Sequence, residues 1–509
     1  MTKLDKQNIS HLFFESARAF PDTIALVEGD RLLTFSELHD AVLKTASYFK
    51  KMGIKKGDRV LVFIPMSVDL YRIVLALFYI GAVAVFLDEW VNKSRMELCC
   101  KIAGCKGFVG IGKARVLRWF SSELRKIPVV LSKNKMDRLV DATDQDPVNP
   151  DDSALITFTT GSTGTPKAAN RTHRFLKEQF DALREKIKPK SGDVDMSLLP
   201  IVLLINLGVG ATSIIAKFSS RKPSTFRPEI ICEQIKRYGV NRITASPYFI
   251  SKLSDYLLQS QIQLPGIRQV FTGGAPVFPD EAALYTNAFK ACDIQIVFGS
   301  TEAEPISSLQ AQRLAARPLL ENGLPVGKPD PRAEVKIIPI TDQPIPACKE
   351  SELNFCKNGE VGEIIVAGPH VLNNYLNNAE AILRNKIYVG NKVFHRTGDS
   401  GFLDEQGDLY LTGRCSGLFK RNQAMVYPFL YEYKLKSLEG LRCGTVLKHN
   451  NKMCVVIEVE KKADKTKIEN QVFQLDVPPD QVLFMKTMPK DLRHHSKIDY
   501  DKLKKILNH

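Results

Sequence analysis

Short apolar runs alternate along this chain with longer stretches of helical period. "RVLVFIP" at 59–65 is a block of aliphatic residues closed by proline, the pattern of a buried strand. Residues 68–80 follow with apolar side chains at most positions and predict a buried helix, and "AVAVFLD" at 82–88 predicts the next strand. Further strands are expected at "IPVVLS" near Val129, "ALITFT" (154–159), "NRITAS" (241–246) and "RQVFTGG" (268–274). Strands that alternate with helices imply parallel sheets, because each parallel crossover lays a helix against a sheet face. The most apolar run, "IVLALFYIGAVAVFL" at 73–87, is short for a bilayer span and is broken by Gly81. It reads as the end of a buried helix followed by a buried strand.

The texture changes near Glu334. "AEVKIIPI" and "GEIIVAG", with turn residues between them, predict a β-rich subdomain over about 333–413. A lysine-rich module of mixed α and β character fills 414–509, so a hinge is expected near 413–418. The expected fold class is α/β: a large N-terminal domain over 1–413, built of parallel sheets flanked by helices plus the β-rich subdomain, and a small α+β C-terminal domain over 414–509. A chain of 509 residues is long enough for several cores.

Charge adds a preference for partners. The 71 Lys and Arg residues exceed the 56 Asp and Glu residues, a net charge of +15, which favours anionic ligands or an acidic membrane surface. The basic residues are scattered and carry no zinc-finger or RNA-recognition signature, so no nucleic-acid partner is expected, and membrane contact is expected to be peripheral at most. Ten cysteines include the pair Cys99-Cys100 but no CxxC and no spacing suited to zinc. Reduced thiols and a cytoplasmic location are the expectation, and "MTKLDKQNIS" has no apolar core of a secretory signal.

Candidate chemistry concentrates in "TFTTGSTGTPKAANRTH" at 157–173. It follows the strand "ALITFT" and leads towards a helix from about His173. Glycines turn backbone N–H groups towards a ligand, hydroxyls donate further hydrogen bonds, and a lysine adds full charge, which together make an anion cradle suited to phosphate. The spacing is not that of a Walker A loop, and a flexible Gly/Ser/Thr connector has the same composition.

Three further stretches occur in order after it: "FTGGAPVFP" (271–279), "FGSTEAEP" (298–305) and "HRTGDSGFLDEQGDLYLTGR" (395–414). Together the four resemble the signature motifs of the adenylate-forming superfamily of acyl-CoA synthetases, peptide-synthetase adenylation domains and luciferases. The resemblance runs from about Asn8 to the C-terminus. It implies that a carboxylate attacks the α-phosphate of ATP, giving an acyl-adenylate and pyrophosphate, with Mg²⁺ as cofactor. It further implies that Thr159, Thr160, Gly161, Ser162, Thr163, Gly164 and Lys167 cover the β- and γ-phosphates. Gly274, Ala275 and Pro276 would border the adenine, with Phe298 stacked on the base and Gly299 beside it. Thr301 would bond the α-phosphate, Glu302 would hold the metal, Asp399 would take both ribose hydroxyls and Arg414 would support that ribose at the hinge. His173 and His395 match family positions that either line the site or serve structure.

The segment "MPKDLRHHSKIDYDKL" (488–503) places Lys497 where the family carries its catalytic lysine, on a small domain that is mobile in such enzymes. Its "PxDxRHxxKI" spacing resembles the β-lactone synthetases of bacterial olefin biosynthesis and related acyl-CoA-synthetase-like proteins, and "VGKPDPRAEVKIIPITDQPI" (326–345) has the same character. His494 and His495 lie beside that lysine. The hinge departs from the usual pattern, with Ser416 at the hinge position and Leu430 in place of a glutamate. "LLPIVLLINLGVGAT" (198–212) falls where the family builds its acid pocket, with Leu203, Leu204, Asn206 and Leu207 as candidate lining, and some of these leucines belong to the core. Its aliphatic character suits a hydrophobic, fatty carboxylic acid. Transfer to CoA is the expected second step, with a β-lactone from a β-hydroxy acid, transfer to an acyl carrier protein, and a non-catalytic nucleotide-binding relative as alternatives.

Overall fold

The computed structural model describes residues 7–87, 93–110, 112–137, 144–160, 166–218, 225–317, 322–421, 424–491 and 498–508; the side chains of Thr160 and of 113–115 are outside the description. Two largely parallel sheets carry the large N-terminal part. The first has six strands in the order Val129–Leu131, Gly107–Gly110, Arg59–Phe63, Val83–Phe86, Ser153–Thr160, Pro166–Thr172, parallel except at its last pair. The second has eight, in the order Ala303–Gln310, Asp293–Ser300, Gln269–Gly273, Arg242–Ala245, Val194–Ser197, Thr212–Ile215, Ile24–Glu28, Arg31–Thr34, with antiparallel pairs at both edges. A third, antiparallel sheet orders Leu324–Gly327, Leu409–Arg414, Lys392–Leu403, Gly362–Ala367 and Glu334–Ile338, which is the β-rich region read from the sequence.

The helix Val68–Tyr79 illustrates how local chemistry fixes the core. Ser67 caps it, accepting the Leu70 N–H at 3.3 Å, and every residue from Val68 to Phe78 is buried. A helix buried all round has to be surrounded, and this one sits in the largest apolar cluster, against the helix Phe35–Lys51 and the first sheet's strands, with its two charged residues, Asp69 and Arg72, paired with each other at 3.2 Å. It stops ahead of Gly81, which turns the chain with φ +63°; a side chain there would also press on Lys56 and Val148 at 3.1 Å.

Beyond Arg414 the chain makes its own three-stranded sheet, Leu441–His449, Lys452–Val459 and Gln481–Met485, around an apolar cluster that includes Leu435, Val446, Val455, Ile457 and Val472. It rests on the large part through Phe278, whose ring stacks on Tyr433 at 5.8 Å, and through a 3.1 Å ion pair between Lys436 and Glu281.

One local expectation changes. The segment after Thr160 does not run straight from loop to helix: Pro166–Thr172 folds back as a strand, pairing Lys167 with Thr159 and Arg171 with Leu155, before the helix His173–Ile187 begins. Its sequence, "PKAANRT", lacks the β-branched run of an autonomous strand, and the pairing supplies what propensity does not. Thr397, Gly398 and Asp399 lie within the strand Lys392–Leu403.

Candidate active site

The site forms where the segment 371–376 stitches the two main sheets together. Val371 bridges Ala303 of the second sheet, and Leu372 N–H donates to the Glu302 carbonyl at 2.7 Å. Tyr375 bridges Ala169 of the first sheet, and Leu376 N–H donates to the Ala168 carbonyl at 2.8 Å. Tyr375 is thereby held between Glu302 and Lys167. From the other direction, Arg171 donates to the Thr301 carbonyl at 3.1 Å.

Glu302 occupies the tip of the hairpin between Asp293–Ser300 and Ala303–Gln310. Its carboxylate is 8% exposed, accepts the Tyr375 hydroxyl at 3.0 Å and has the Thr159 hydroxyl at 3.5 Å. Around it stand two lysines on the same tyrosine ring, Lys167 at 5.7 Å and Lys386 at 5.3 Å from the centroid. Lys167 donates to Asn385 Oδ1 at 2.8 Å, and Lys386 to the Leu372 carbonyl. His395, also buried, has Nδ1 3.2 Å from the Asn385 carbonyl.

These groups set one another's charge. Burial pushes the Glu302 carboxyl up, but His395, Lys386, Lys167 and the Tyr375 hydroxyl together hold it below the usual carboxylate range. His395 is itself pushed down to about 3, by burial and then by Lys386, so near neutrality the lysines supply the field that keeps Glu302 ionised. Burial takes Lys386 down to about 7, with Glu302 opposing and Lys167 adding to the fall. Lys167 is lowered for the same first reason. The result is a buried anion with cations beside it, at the open ends of two sheets.

The strand ends complete a half-exposed rim. Gly273 pairs with Val297, so 273–276 and 298–300 leave adjacent parallel strands at the same end, where open α/β sheets form crevices. Gly274 has φ +88°, and a side chain at Gly273 would lie 2.3 Å from the Val297 carbonyl, so the small residues here are required by close backbone packing. Gly299 is equally constrained, with its neighbour Ala303 carbonyl 2.9 Å from any Cβ. Phe298 is half-buried on this rim. On the third sheet Asp399 accepts Arg414 at 2.8 Å, and Arg414 also donates to the Thr397 carbonyl at 3.3 Å.

Among the expected residues, Thr159, Lys167 and Glu302 therefore meet, with Thr301 one residue away on the same hairpin tip. Gly161, Ser162, Thr163 and Gly164, the Thr160 side chain, and His494, His495 and Lys497 lie outside the described residues. His173 serves the core instead of the site. Its Nδ1 accepts the Ile9 N–H at 3.2 Å, its ring packs against Phe78, and burial pushes it down to about 4. On the helix Pro200–Val209, Leu203 and Leu207 are core. Leu204 lines an apolar cavity of about 40 Å³ with Ile9, Leu12, Phe78, Phe180 and Ile201 among its walls. Asn206 is committed to structure, donating to Asp195 at 2.9 Å and Ser213 at 3.0 Å. Sequence reading missed Tyr375, Asn385 and Lys386; a lysine opening the otherwise apolar strand "KIYV" was the available signal for the last.

Among the described residues no three His, Cys, Asp or Glu side chains gather to cage a metal ion. A hard dication held here would take an oxygen from Glu302 and complete its shell from phosphates and water, the usual arrangement for Mg²⁺.

A family model described as "AMP-binding enzyme" matches residues 13–376. The chain belongs to this family, the adenylate-forming enzymes, and is an AMP-forming acid ligase. It is 31% identical over 441 residues to an olefin β-lactone synthetase of Xanthomonas campestris, covering 80% of this chain and 78% of the relative. A second olefin β-lactone synthetase, from Stenotrophomonas maltophilia, is 29% identical over 474 residues, covering 85% and 84%. The fold matches the O-succinylbenzoate coenzyme A synthetase of Bacillus subtilis, solved with ATP and magnesium, at a TM-score of 0.80 and 20% identity over 97% of this chain and 99% of that one.

Proposed function

We propose that this ligase uses ATP and Mg²⁺ to adenylate a hydrophobic β-hydroxy carboxylic acid, and that the acyl-adenylate then closes on its own hydroxyl to a β-lactone. The observation that carries the reading is Glu302: a buried carboxylate anchored by the Tyr375 hydroxyl at 3.0 Å, with Lys167 and Lys386 over the same ring, beside a rim of glycines and hydroxyls. Bound there, Mg²⁺ would neutralise phosphate charge and orient the nucleotide. Thr159, Lys167 and the residues 160–164 are assigned to the β- and γ-phosphates, Thr301 to the α-phosphate, and Gly274, Ala275, Pro276, Phe298 and Gly299 to the adenine. Asp399 receives the ribose hydroxyls, with Arg414 behind it.

In the first step an oxygen of the substrate carboxylate bonds to the α-phosphorus and pyrophosphate leaves. Positive side chains aimed at the phosphoryl oxygens lower this barrier by stabilising the charge that develops there, and Lys497 is assigned the position nearest the reacting centre. In the second step the β-hydroxyl oxygen bonds to the acyl carbon, its proton passes to solvent, and AMP leaves. Proximity within one molecule replaces an external acceptor.

The hydrophobic acid is supported by the apolar helix Pro200–Val209. Among the described residues no buried carboxylate is left beside this helix for a substrate ammonium, since Asp195 is occupied by Asn206 and Thr244. The lactone outcome is supported by the names of two relatives and by the altered hinge, Ser416 and Leu430. Transfer to CoA is the second reading, favoured by a relative described as an oxalate–CoA ligase, 27% identical over 452 residues. We infer from the separate sheet beyond Arg414 that 414–509 is a domain able to turn about 413–418.

The test is acid-dependent exchange of labelled pyrophosphate into ATP, across fatty and β-hydroxy fatty acids, followed by mass analysis of products with and without CoA. Lactone formed without thiol supports the proposal. Thioester formed only with CoA replaces the second step and leaves the first. No exchange with any acid tested would count against both steps.

A further inference from the structure

The face of the first sheet remote from the second carries an apolar surface that the ligase chemistry does not use. The helix Lys113–Phe120, "KARVLRWF", leaves Trp119 78%, Phe120 66% and Val116 54% exposed. They are not loose. The Arg118 guanidinium donates to the carbonyls of Leu124, Arg125 and Ile127 at 3.1 to 3.3 Å, fastening this helix to the next, Ser122–Lys126. That helix also contacts Lys93–Ala103, which buries Met96, Cys99 and Cys100 and turns Leu98 and Lys101 outward.

Charge says what this surface meets. Residues 93–126 hold nine Lys and Arg against two Glu, a net of +7 of the chain's +15, and Glu123 is already paired with Lys126 at 2.5 Å. Two such surfaces repel each other, which disfavours a second copy as occupant. Exposed tryptophan and phenylalanine on a segment this basic match the boundary between an anionic headgroup layer and its acyl chains.

We propose that this three-helix face docks the protein on the surface of an anionic bilayer, with Trp119 and Phe120 entering the interface. No helix among the described residues is long and apolar enough to cross a membrane, so the contact is peripheral. The face backs onto the active site: Lys93–Ala103 packs on the strand that carries Lys167, and Asn377, two residues beyond Tyr375, donates to the Ile102 carbonyl at 3.1 Å. A hydrophobic acid dissolved in the bilayer would thus be near its point of use, though docking itself does not depend on which acid is activated.

The experiment is flotation of the full-length protein with phosphatidylcholine vesicles and with mixed phosphatidylcholine–phosphatidylglycerol vesicles. Binding is expected on the mixed vesicles alone, weakening as salt is raised. Trp119→Ser/Phe120→Ser should weaken it about tenfold or more, and Lys101→Gln/Arg125→Gln about thirtyfold, at about 1 kcal/mol per basic residue and about 1.4 kcal/mol per decade. Pyrophosphate exchange with a short, water-soluble acid should be unchanged in both. Tryptophan emission should shift to the blue on binding, and the shift should be absent in Trp119→Phe. Failure to float overturns the proposal. So does flotation indifferent to both double variants. A wild-type dimer that Trp119→Ser/Phe120→Ser splits into monomers would make the face a self-interface and overturn it as well.

Discussion

Substituting Asp399 separates a nucleotide site from a structural ion pair, because the two roles differ in size. In the structure its carboxylate accepts Arg414 at 2.8 Å, but the Arg414 side chain is 54% exposed while Asp399 is 16% exposed. A pair so open to water contributes about 0–1 kcal/mol, so Asp399→Ala should leave folding nearly untouched. As the ribose acceptor the same carboxylate would hold two hydroxyl donors, each hydrogen bond to a charged group being worth about 1.5–3 kcal/mol. At about 1.4 kcal/mol per decade, the wild-type protein should prefer ATP over 2′-deoxy-ATP by about 10- to 100-fold in kcat/KM. Asp399→Ala should lose about 10²- to 10⁴-fold with ATP and treat the two nucleotides alike within about twofold. The assay is acid-dependent pyrophosphate release with each nucleotide and each protein, beside a thermal melt. A variant that keeps the wild-type preference for the 2′-hydroxyl refutes the ribose assignment and leaves Asp399 as Arg414's partner only.

Tyr375→Phe removes the 3.0 Å bond to Glu302 without opening a cavity, and should slow adenylation about 10- to 100-fold, read in the same assay; a rate within twofold of wild type would mean that Glu302 needs no such anchor. Lys386 has its pKa lowered from lysine's ordinary 10.5 to about 7, mainly by burial, so between those pH values the unfolded chain binds the proton that the folded one has released. Stability from this residue therefore rises with pH across that window, by at most about 5 kcal/mol at ~1.4 kcal/mol per pH unit. Lys386→Met should flatten the rise in the urea midpoint between pH 7 and 10, and parallel curves for the two proteins would contradict the burial argument. Leu204→Trp should crowd the apolar face of the helix Pro200–Val209 and shift the accepted acids towards shorter chains; an unchanged chain-length profile would place the acyl group elsewhere.

The strands were legible because parallel, doubly covered strands are short and apolar throughout: "RVLVFIP" became Arg59–Phe63 and "RQVFTGG" became Gln269–Gly273. The helix read over 68–80 appeared as Val68–Tyr79, with Gly81 beyond it at φ +63°. The strand Pro166–Thr172 was not legible, since its order comes from pairing with Ser153–Thr160 and not from its own side chains. The site divided in the same way. Thr159 and Lys167 sit in a glycine- and hydroxyl-rich stretch whose composition signals an anion site, and Glu302 was marked by the resemblance of its motif to that of the family. Tyr375 and Lys386 join them only because segment 371–376 crosses between sheets, a contact between residues far apart in the chain that no local pattern records. Asn206 shows the converse: its place in the segment where the family builds its acid pocket made it candidate lining, while the structure gives its amide to Asp195 and Ser213.

The pocket around Glu302 is, in this mechanism, the place where an acid's oxygen becomes bonded to the nucleotide's α-phosphorus. Supplying an acid labelled with ¹⁸O in its carboxyl group tests this directly, with the AMP released analysed by mass. One heavy oxygen in the AMP phosphate is the expected result whether the acyl group leaves as lactone or as thioester. AMP free of label, formed while the acid is consumed, would contradict the account at its root.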